Sequence, residues 1–214
     1  MKKIMFNDKY GLTQAVLEGR KTQTRRIADT AGRLRDITVR QALEEVNKGR
    51  ACLFDEGRPL ALSAYKLGET IAIAQKYEDL AMDYEFFRLR SKKGMLLGLE
   101  KGCYNKMFAR ADLMPHHIRI TKIRMERLQD ISDEDCLKEG ICRSDIKNTL
   151  WGVAPIRGEG ESGTTYKHSV LGYGPWHLFP SVKRAYASLI DRISGKGTWE
   201  SNPYVFVYDF ELID

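Results

Sequence analysis

The chain has 214 residues, of which 43% are hydrophobic and 30% charged, a composition that suits one well-filled globular core and excludes a disordered chain. No stretch approaches the roughly 18 apolar residues of a membrane-spanning helix, so we expect no membrane partner. The formal net charge is +6, and residues 1–50, with twelve Lys and Arg against six Asp and Glu, carry all of the excess.

The first elements lead into a polar segment. Residues 2–6 predict a short edge strand, and residues 7–18 predict a capped helix that Gly19 stops. The run 20–26 is strongly basic and has no amphipathic stripe. We therefore expect it to form a loop or the start of a strand.

The elements that follow mix strands with helices. Strand patterns occur at 60–64, 70–74, 117–128 and 204–213, and helical patterns at 78–91, 133–139 and 181–193. Within 117–128 the apolar residues switch parity, which predicts a β-bulge near Thr121–Lys122. The last strand begins with an almost continuous apolar run, so we expect burial on both of its faces.

Three segments have the character of insertions, at 28–60, 78–105 and 143–180. The first contains Thr38 and Gln41 at the spacing of a capping box, which predicts a short helix. The third is rich in Gly and Pro and predicts a long loop or flap. Together the elements predict one α+β domain over residues 1–214, with a mostly antiparallel, curved sheet and helices packed outside it.

The cysteines and the N-terminal residues indicate the cellular compartment that we expect for the protein. Cys52, Cys103, Cys136 and Cys142 form no Cys-x-x-Cys pair, so reduced thiols are expected. The start Met1–Lys3 is similar to that of a signal peptide, but the polar residues 7–9 interrupt the apolar run. We expect a cytoplasmic protein.

Four segments carry a resemblance to a known family. The motif Gly19–Arg26, of sequence GRKTQTRR, resembles the ASCH-domain signature. Tyr65–Glu69 is similar to the family's turn before a strand, and Arg127–Gly140, with its Asp-Ile-Ser-Asp core and its Glu139-Gly140 end, resembles the second signature. The tail Trp199–Ile213 looks like the closing strand of phage- and prophage-associated members.

The resemblance implies a PUA-like β-barrel and binding of RNA or a modified nucleoside. One small bacterial member of the family is an amidohydrolase that removes the acetyl group from N4-acetylcytidine. Its Lys, Thr and Glu catalytic positions fall on Lys21, Thr24 and Glu139 in this chain. No cofactor or metal is implied. The residues we expect to contact the substrate are Arg20, Arg25, Arg26, Arg110 and Trp199.

The chemistry of amide hydrolysis suits these residue types. A Thr hydroxyl needs a base, and a Lys can act as one if burial or neighbouring cations favour its neutral form. Glu139 could pass a proton to the leaving amine. Lys21 and Thr24 would point to opposite faces of an ideal strand, so a shared site requires an irregularity between them.

Other hypotheses remain open at this stage. The basic segment could be a solvated face, and the chain could be a non-catalytic RNA-binding module or an accessory protein of a phage or mobile element. Histidines 116 and 117 are adjacent, which on a strand sends them to opposite faces and disfavours a shared metal. The oligomeric state is not indicated.

Overall fold

The computed structural model describes residues 1–28, 37–80, 101–143, 151–153, 156–157, 166–167 and 179–214. Within these ranges the protein is α+β, with several helices and mostly antiparallel strand pairs, as the sequence predicts. No closed barrel is found among the described strands, and the PUA-like arrangement stays a prediction.

The strands are β1 Lys3–Ile4, β2 Gln23–Ile27, β3 Cys52–Asp55, β4 Arg58–Leu62, β5 Thr70–Ile73, β6 His117–Arg127, β7 Ile141–Arg143, β8 Trp151–Val153, β9 Ile156–Arg157, β10 Tyr166–Lys167 and β11 Tyr204–Leu212. The helices are α1 Leu12–Leu17, α2 Val39–Asn47, α3 Lys101–Tyr104, α4 Asp133–Lys138, α5 Val182–Ser194 and α6 Thr198–Ser201. Short 3-10 helices lie at Asp8–Tyr10, Tyr77–Leu80, Ala111–Leu113 and Leu128–Asp130.

The chain divides into two compact units, and the expectation of a single domain with insertions stays a prediction. The first unit comprises Met1–Phe6, Thr70–Ile118 and Leu212–Asp214. In it β1 pairs in parallel with β5, in the register Lys3 to Ala72 and Ile4 to Ile73. Its core gathers apolar side chains around the fully buried ring of Tyr77, namely Ala72, Leu80, Cys103, Ala109 and Met114.

The second unit comprises Asn7–Glu69 and Arg119–Glu211. Its larger sheet has the strand order β6-β11-β2, and the antiparallel register of β11 with β2 runs from Val205 opposite Ile27 to Asp209 opposite Gln23. The strands β3 and β4 form a hairpin, and β7 pairs antiparallel with β8. Helix α5 packs against α4, β7 and β8. It therefore covers the side of the unit on which α4 ends.

Several predicted elements are confirmed. Helix α2 begins with the expected capping box at Thr38 and Gln41. The Ser132 side chain caps α4, and α5 occupies the strongest helical pattern. In β11 the residues 205–208 are buried in succession, which confirms burial on both faces. Burial along β6 loses its alternation at Thr121 and Lys122, which are both exposed; the bulge expected there stays a prediction.

Other predictions are wrong or incomplete. The helix expected over 7–18 is divided by Gly11, whose φ of 63° ends the first 3-10 turn before α1 begins. The predicted strand 60–64 corresponds to β4, which starts at Arg58 and ends at Leu62. It forms a hairpin with β3, a strand that was not predicted. The segment 143–180 contains the short strands β8, β9 and β10 rather than loop alone. Most of the helix expected at 78–91 lies outside the described residues.

Candidate functional site

Lys21 is the centre of the candidate site. After α1 the chain turns at Gly19, where φ is 71°, and the Lys21 amide donates to the Ala15 carbonyl. The Lys21 ammonium donates to Glu139 Oε2 at 2.5 Å, to the Glu139 carbonyl at 3.0 Å and to the Gln23 carbonyl at 2.7 Å. The residue is 2% exposed. A lysine in the basic motif is therefore enclosed in the protein rather than presented to solvent.

Glu139 is brought to Lys21 by the end of α4. It is the residue that follows the helix, and Gly140 then turns the chain into β7 with a φ of 99°. Glycine suits this position because other residues rarely adopt a positive φ. A Cβ built at position 140 would lie 3.7 Å from the Cβ of Lys21, which shows how closely the turn packs on the lysine.

Arg25 lies on the other side of Glu139. Its Nη1 donates to Glu139 Oε1 at 3.1 Å and to Gln23 Oε1 at 2.5 Å. Its Nη2 donates to Glu126 Oε1 at 2.6 Å and to Asp135 Oδ2 at 2.9 Å. The side chain is 1% exposed. Protein acceptors surround the Arg25 guanidinium, and the substrate contact expected of Arg25 stays a prediction.

Arg124 and Asp209 extend these contacts into a larger ion-pair network. Arg124 donates to Asp209 Oδ2 at 2.9 Å, to Glu126 Oε2 at 3.1 Å and to Asp135. Gln23 donates to Asp209 as well. We call this set the ion-pair network; its members are Lys21, Arg25, Arg124, Glu126, Asp135, Asp209 and Glu139. Carboxylates outnumber cations in it by one, so its formal charge is negative.

Burial governs the protonation of Lys21. Desolvation lowers the pKa of Lys21 below its ordinary value, and the ion pair with Glu139 opposes that shift only in part. The charges of Arg26 and Arg25 lower the pKa of Lys21 further. The position therefore favours the neutral amine more than a surface lysine would, which is the condition that base catalysis by lysine requires.

Thr24 is buried on the opposite face of β2 from Arg25, because side chains alternate along a strand. It lies directly across from Tyr208 of β11. The Thr22 carbonyl accepts from the Phe210 amide, so the Gln23 carbonyl points to the edge of β2 away from β11. The Lys21 ammonium binds that carbonyl and so lies at this edge, beside the peptide that joins Gln23 to Thr24.

The remaining predicted residues are dispersed. Arg26 is half-buried and follows the alternation of Thr24. Arg20 is exposed and pairs with Glu18 at 2.5 Å. Trp199 is half-buried, with its ring edge-on to Tyr186 at 6.2 Å. Arg110 belongs to the first unit, where it pairs with Asp112 at 2.5 Å. The structure thus brings Lys21 and Arg25 each into direct contact with Glu139.

Sequence reasoning missed several members of this site. Glu126 lies outside the four segments that carry the resemblance, and Gln23, Asp135 and Asp209 lie inside them without a predicted role. Tyr186 lies within the helical pattern 181–193, and its buried hydroxyl has no hydrogen-bond partner among the described residues. The guanidinium carbon of Arg25 lies 6.0 Å from the Tyr186 ring centroid. Within this helical pattern, only the polar hydroxyl of the tyrosine could have indicated that Tyr186 contributes to the site.

A cavity of about 500 Å³ lies in the second unit, beside the end of α4. Arg20 and Gly140, the immediate sequence neighbours of Lys21 and Glu139, both line it. Its other walls come from β7 and from Trp151 of β8. The lining of the cavity therefore includes residues next in sequence to two members of the candidate site.

Neither a metal-binding cluster nor a membrane-spanning helix occurs in the described part of the chain. No group of three or more His, Cys, Asp or Glu side chains there could hold a metal ion. His117 pairs with Asp214 at 2.8 Å in the first unit. None of the described helices combines the length and apolarity needed to cross a bilayer.

Comparisons with known proteins give no independent assignment. No family model, curated protein or solved structure matches the chain.

Proposed function

We propose that this protein is an amide hydrolase of the ASCH type that acts on an N-acylated cytidine-like nucleoside. The observation that carries the proposal is the 2.5 Å contact between Lys21 Nζ and Glu139 Oε2, both buried and 118 positions apart in sequence. The resemblance pairs these two residues with Thr24 as a reactive set. Their contact supports that pairing, because nothing local in the sequence would bring them together.

The first step of the proposed reaction uses Lys21 as a base. Burial and the neighbouring arginine charges favour loss of a proton from Lys21 to solvent, which leaves a neutral amine beside Glu139. The amine then accepts the Thr24 hydroxyl proton as the oxygen attacks the amide carbonyl carbon. The tetrahedral intermediate collapses when the carbon–nitrogen bond breaks, and the N4 nitrogen of the cytidine leaves with a proton from Lys21.

The second step releases the acyl group. A water molecule attacks the carbonyl carbon of the Thr24 ester and transfers a proton to Lys21. The bond between the acyl carbon and the Thr24 oxygen then breaks, and the acyl group leaves as the carboxylic acid. Thr24 regains its proton, so the cycle balances without a cofactor. Arg26 is half-buried on the Thr24 face of β2, and in this proposal its charge stabilises the negative oxygen of both intermediates.

A hydrolysis assay tests the proposal. Purified protein is incubated with N4-acetylcytidine, and cytidine and acetate are quantified by chromatography. We expect turnover by the wild type and a loss of at least about a hundredfold in Thr24→Val, which removes only the nucleophile. Thr22→Val, a change in the same motif, is the matched control and should retain activity. No turnover by wild type, or equal turnover by Thr24→Val, would contradict the proposal.

The finer fold assignment belongs to the same proposal. We propose that the sheet of the second unit forms part of a PUA-like barrel. The antiparallel order β6-β11-β2, the break in burial along β6 and the helices packed beside the strands support it. An experimental structure with an open, flat sheet in place of a curved one would contradict this assignment.

A non-catalytic RNA-binding module is the second candidate. The basic excess in residues 1–50 favours it, because exposed Lys and Arg dominate binding to a phosphate backbone. RNA retention that weakens with salt, together with no hydrolysis of N4-acetylcytidine, would select this alternative.

A further inference from the structure

The cavity beside the end of α4 has the size and walls of a small-molecule site. Its volume of about 500 Å³ falls within the range of roughly 300–1,000 Å³ that ligand pockets occupy. Leu137 and Ile141 give it apolar walls, and Trp151 adds an aromatic ring. A flat ring system can be desolvated against such surfaces.

The aromatic wall is held in place by strand pairing. The antiparallel register of β7 with β8 sets Arg143 directly opposite Trp151. The Arg143 guanidinium carbon lies 4.9 Å from the indole ring centroid, which is the distance of a cation–π contact. The pair therefore presents a positive charge and an aromatic surface at the same wall.

A second guanidinium lines the cavity from the motif. Arg20 contributes to the lining, and no carboxylate residue does so among the described residues. Arg20 pairs with Glu18, but the two side chains are 36% and 40% exposed. Exposed pairs of this kind contribute little and yield to a stronger anion. Two guanidiniums beside an apolar, aromatic cavity match a planar ligand that carries a doubly charged anion.

We propose that this cavity binds a nucleoside 5′-monophosphate, with the base against Trp151 and the phosphate held by Arg20 and Arg143. The inference rests on the proposed function for the nucleoside and adds the phosphate, which that function does not require. Two residues of the cavity lining, Arg20 and Gly140, are the sequence neighbours of Lys21 and Glu139, so the cavity adjoins the segments that carry the reactive pair. The substrate class becomes an acylated nucleotide rather than a free nucleoside.

Calorimetric titration of the full chain with cytidine 5′-monophosphate and with cytidine tests this inference. We expect the nucleotide to bind at least about tenfold more tightly than cytidine. Arg20→Met and Arg143→Met should each weaken nucleotide binding several-fold and leave cytidine binding unchanged. Arg119→Met is the control, since Arg119 is an exposed arginine of the same unit that pairs with Glu211 and does not line the cavity.

The outcomes separate this inference from the proposed hydrolysis. Equal affinity for the two ligands, no binding of either, or an equal loss in Arg119→Met would overturn the nucleotide site. The titration requires no turnover. A nucleotide preference that depends on Arg20 and Arg143, found in a protein that does not hydrolyse N4-acetylcytidine, would contradict the proposed activity alone.

Discussion

The Lys21 ammonium and the Glu139 carboxylate form a buried ion pair at 2.5 Å, between side chains that are 2% and 6% exposed. Both charges have been removed from water, which costs free energy that the pair recovers only with good geometry and further hydrogen bonds. The Lys21 ammonium donates further hydrogen bonds to two backbone carbonyls, and the Glu139 carboxylate accepts one from Arg25. This arrangement makes the pair sensitive to the loss of either partner.

Removal of Lys21 should therefore be strongly destabilising. Lys21→Met leaves Glu139 buried beside Arg25 alone, and we expect a loss of about 3–5 kcal/mol in the free energy of unfolding. Urea denaturation followed by circular dichroism measures it. Arg20→Met, which breaks an exposed pair one residue earlier, should cost no more than about 1 kcal/mol. A similar small loss for both variants would show that the buried pair is not important for stability.

Asp135 should make the protein sensitive to acid. Burial by itself would raise the pKa of Asp135, but hydrogen bonds and charges from Arg25 and Arg124 outweigh it and hold the pKa below the ordinary value. The stabilisation is thus complete above the pKa of Asp in the unfolded chain, about 3.9, and is lost as the pH falls through the lower folded value.

Unfolding free energies measured from pH 6 down to pH 2 test this dependence. Asp135→Asn should be less stable than wild type at pH 6 and should lose less stability on acidification. Asp133→Asn, an exposed change in the same helical turn, should keep the wild-type slope. An unchanged slope in Asp135→Asn would contradict the role assigned to the carboxylate.

The Tyr186 hydroxyl should contribute nothing favourable to stability. It is buried without a hydrogen-bond partner among the described residues, and an unsatisfied buried polar group carries a desolvation cost. Tyr186→Phe is expected to leave the stability unchanged or to raise it by about 1 kcal/mol. Tyr208→Phe is the matched comparison: its hydroxyl accepts from the Ala64 amide at 2.8 Å, and its loss should cost about 1 kcal/mol. Thermal unfolding that ranks the two variants in the opposite order would refute this account.

Local signals in the sequence were enough to predict α2, α4 and α5. A serine before acidic residues predicts the start of α4, and a regular apolar stripe predicts α5, because both features act within one or two turns. The helix over 7–18 was mistaken for one element because the pattern does not reveal the positive φ that Gly11 adopts. Glycine permits that conformation without requiring it.

The charged strand β2 could not be predicted from its own residues. A run of basic and polar side chains is ordinarily solvated, yet Gln23 and Arg25 are buried because Glu126, Asp135 and Glu139 meet them from 100 or more positions away. Of the carboxylates in the ion-pair network, the motif resemblance anticipated Glu139 alone. The other carboxylates became visible only when the fold placed α4 and β6 beside β2, since no sequence pattern links positions so far apart.

The pH dependence of kcat/KM for N4-acetylcytidine, in wild type and in Arg26→Met, tests the central claim most directly. If neutral Lys21 is the base, kcat/KM rises with pH through an apparent pKa below that of an ordinary lysine, about 10.4. The charge of Arg26 lowers the pKa of Lys21, so Arg26→Met should move the rise to higher pH, and Arg20→Met should leave it in place. Absence of turnover at every pH, or a rise that Arg26→Met does not move, would contradict the account.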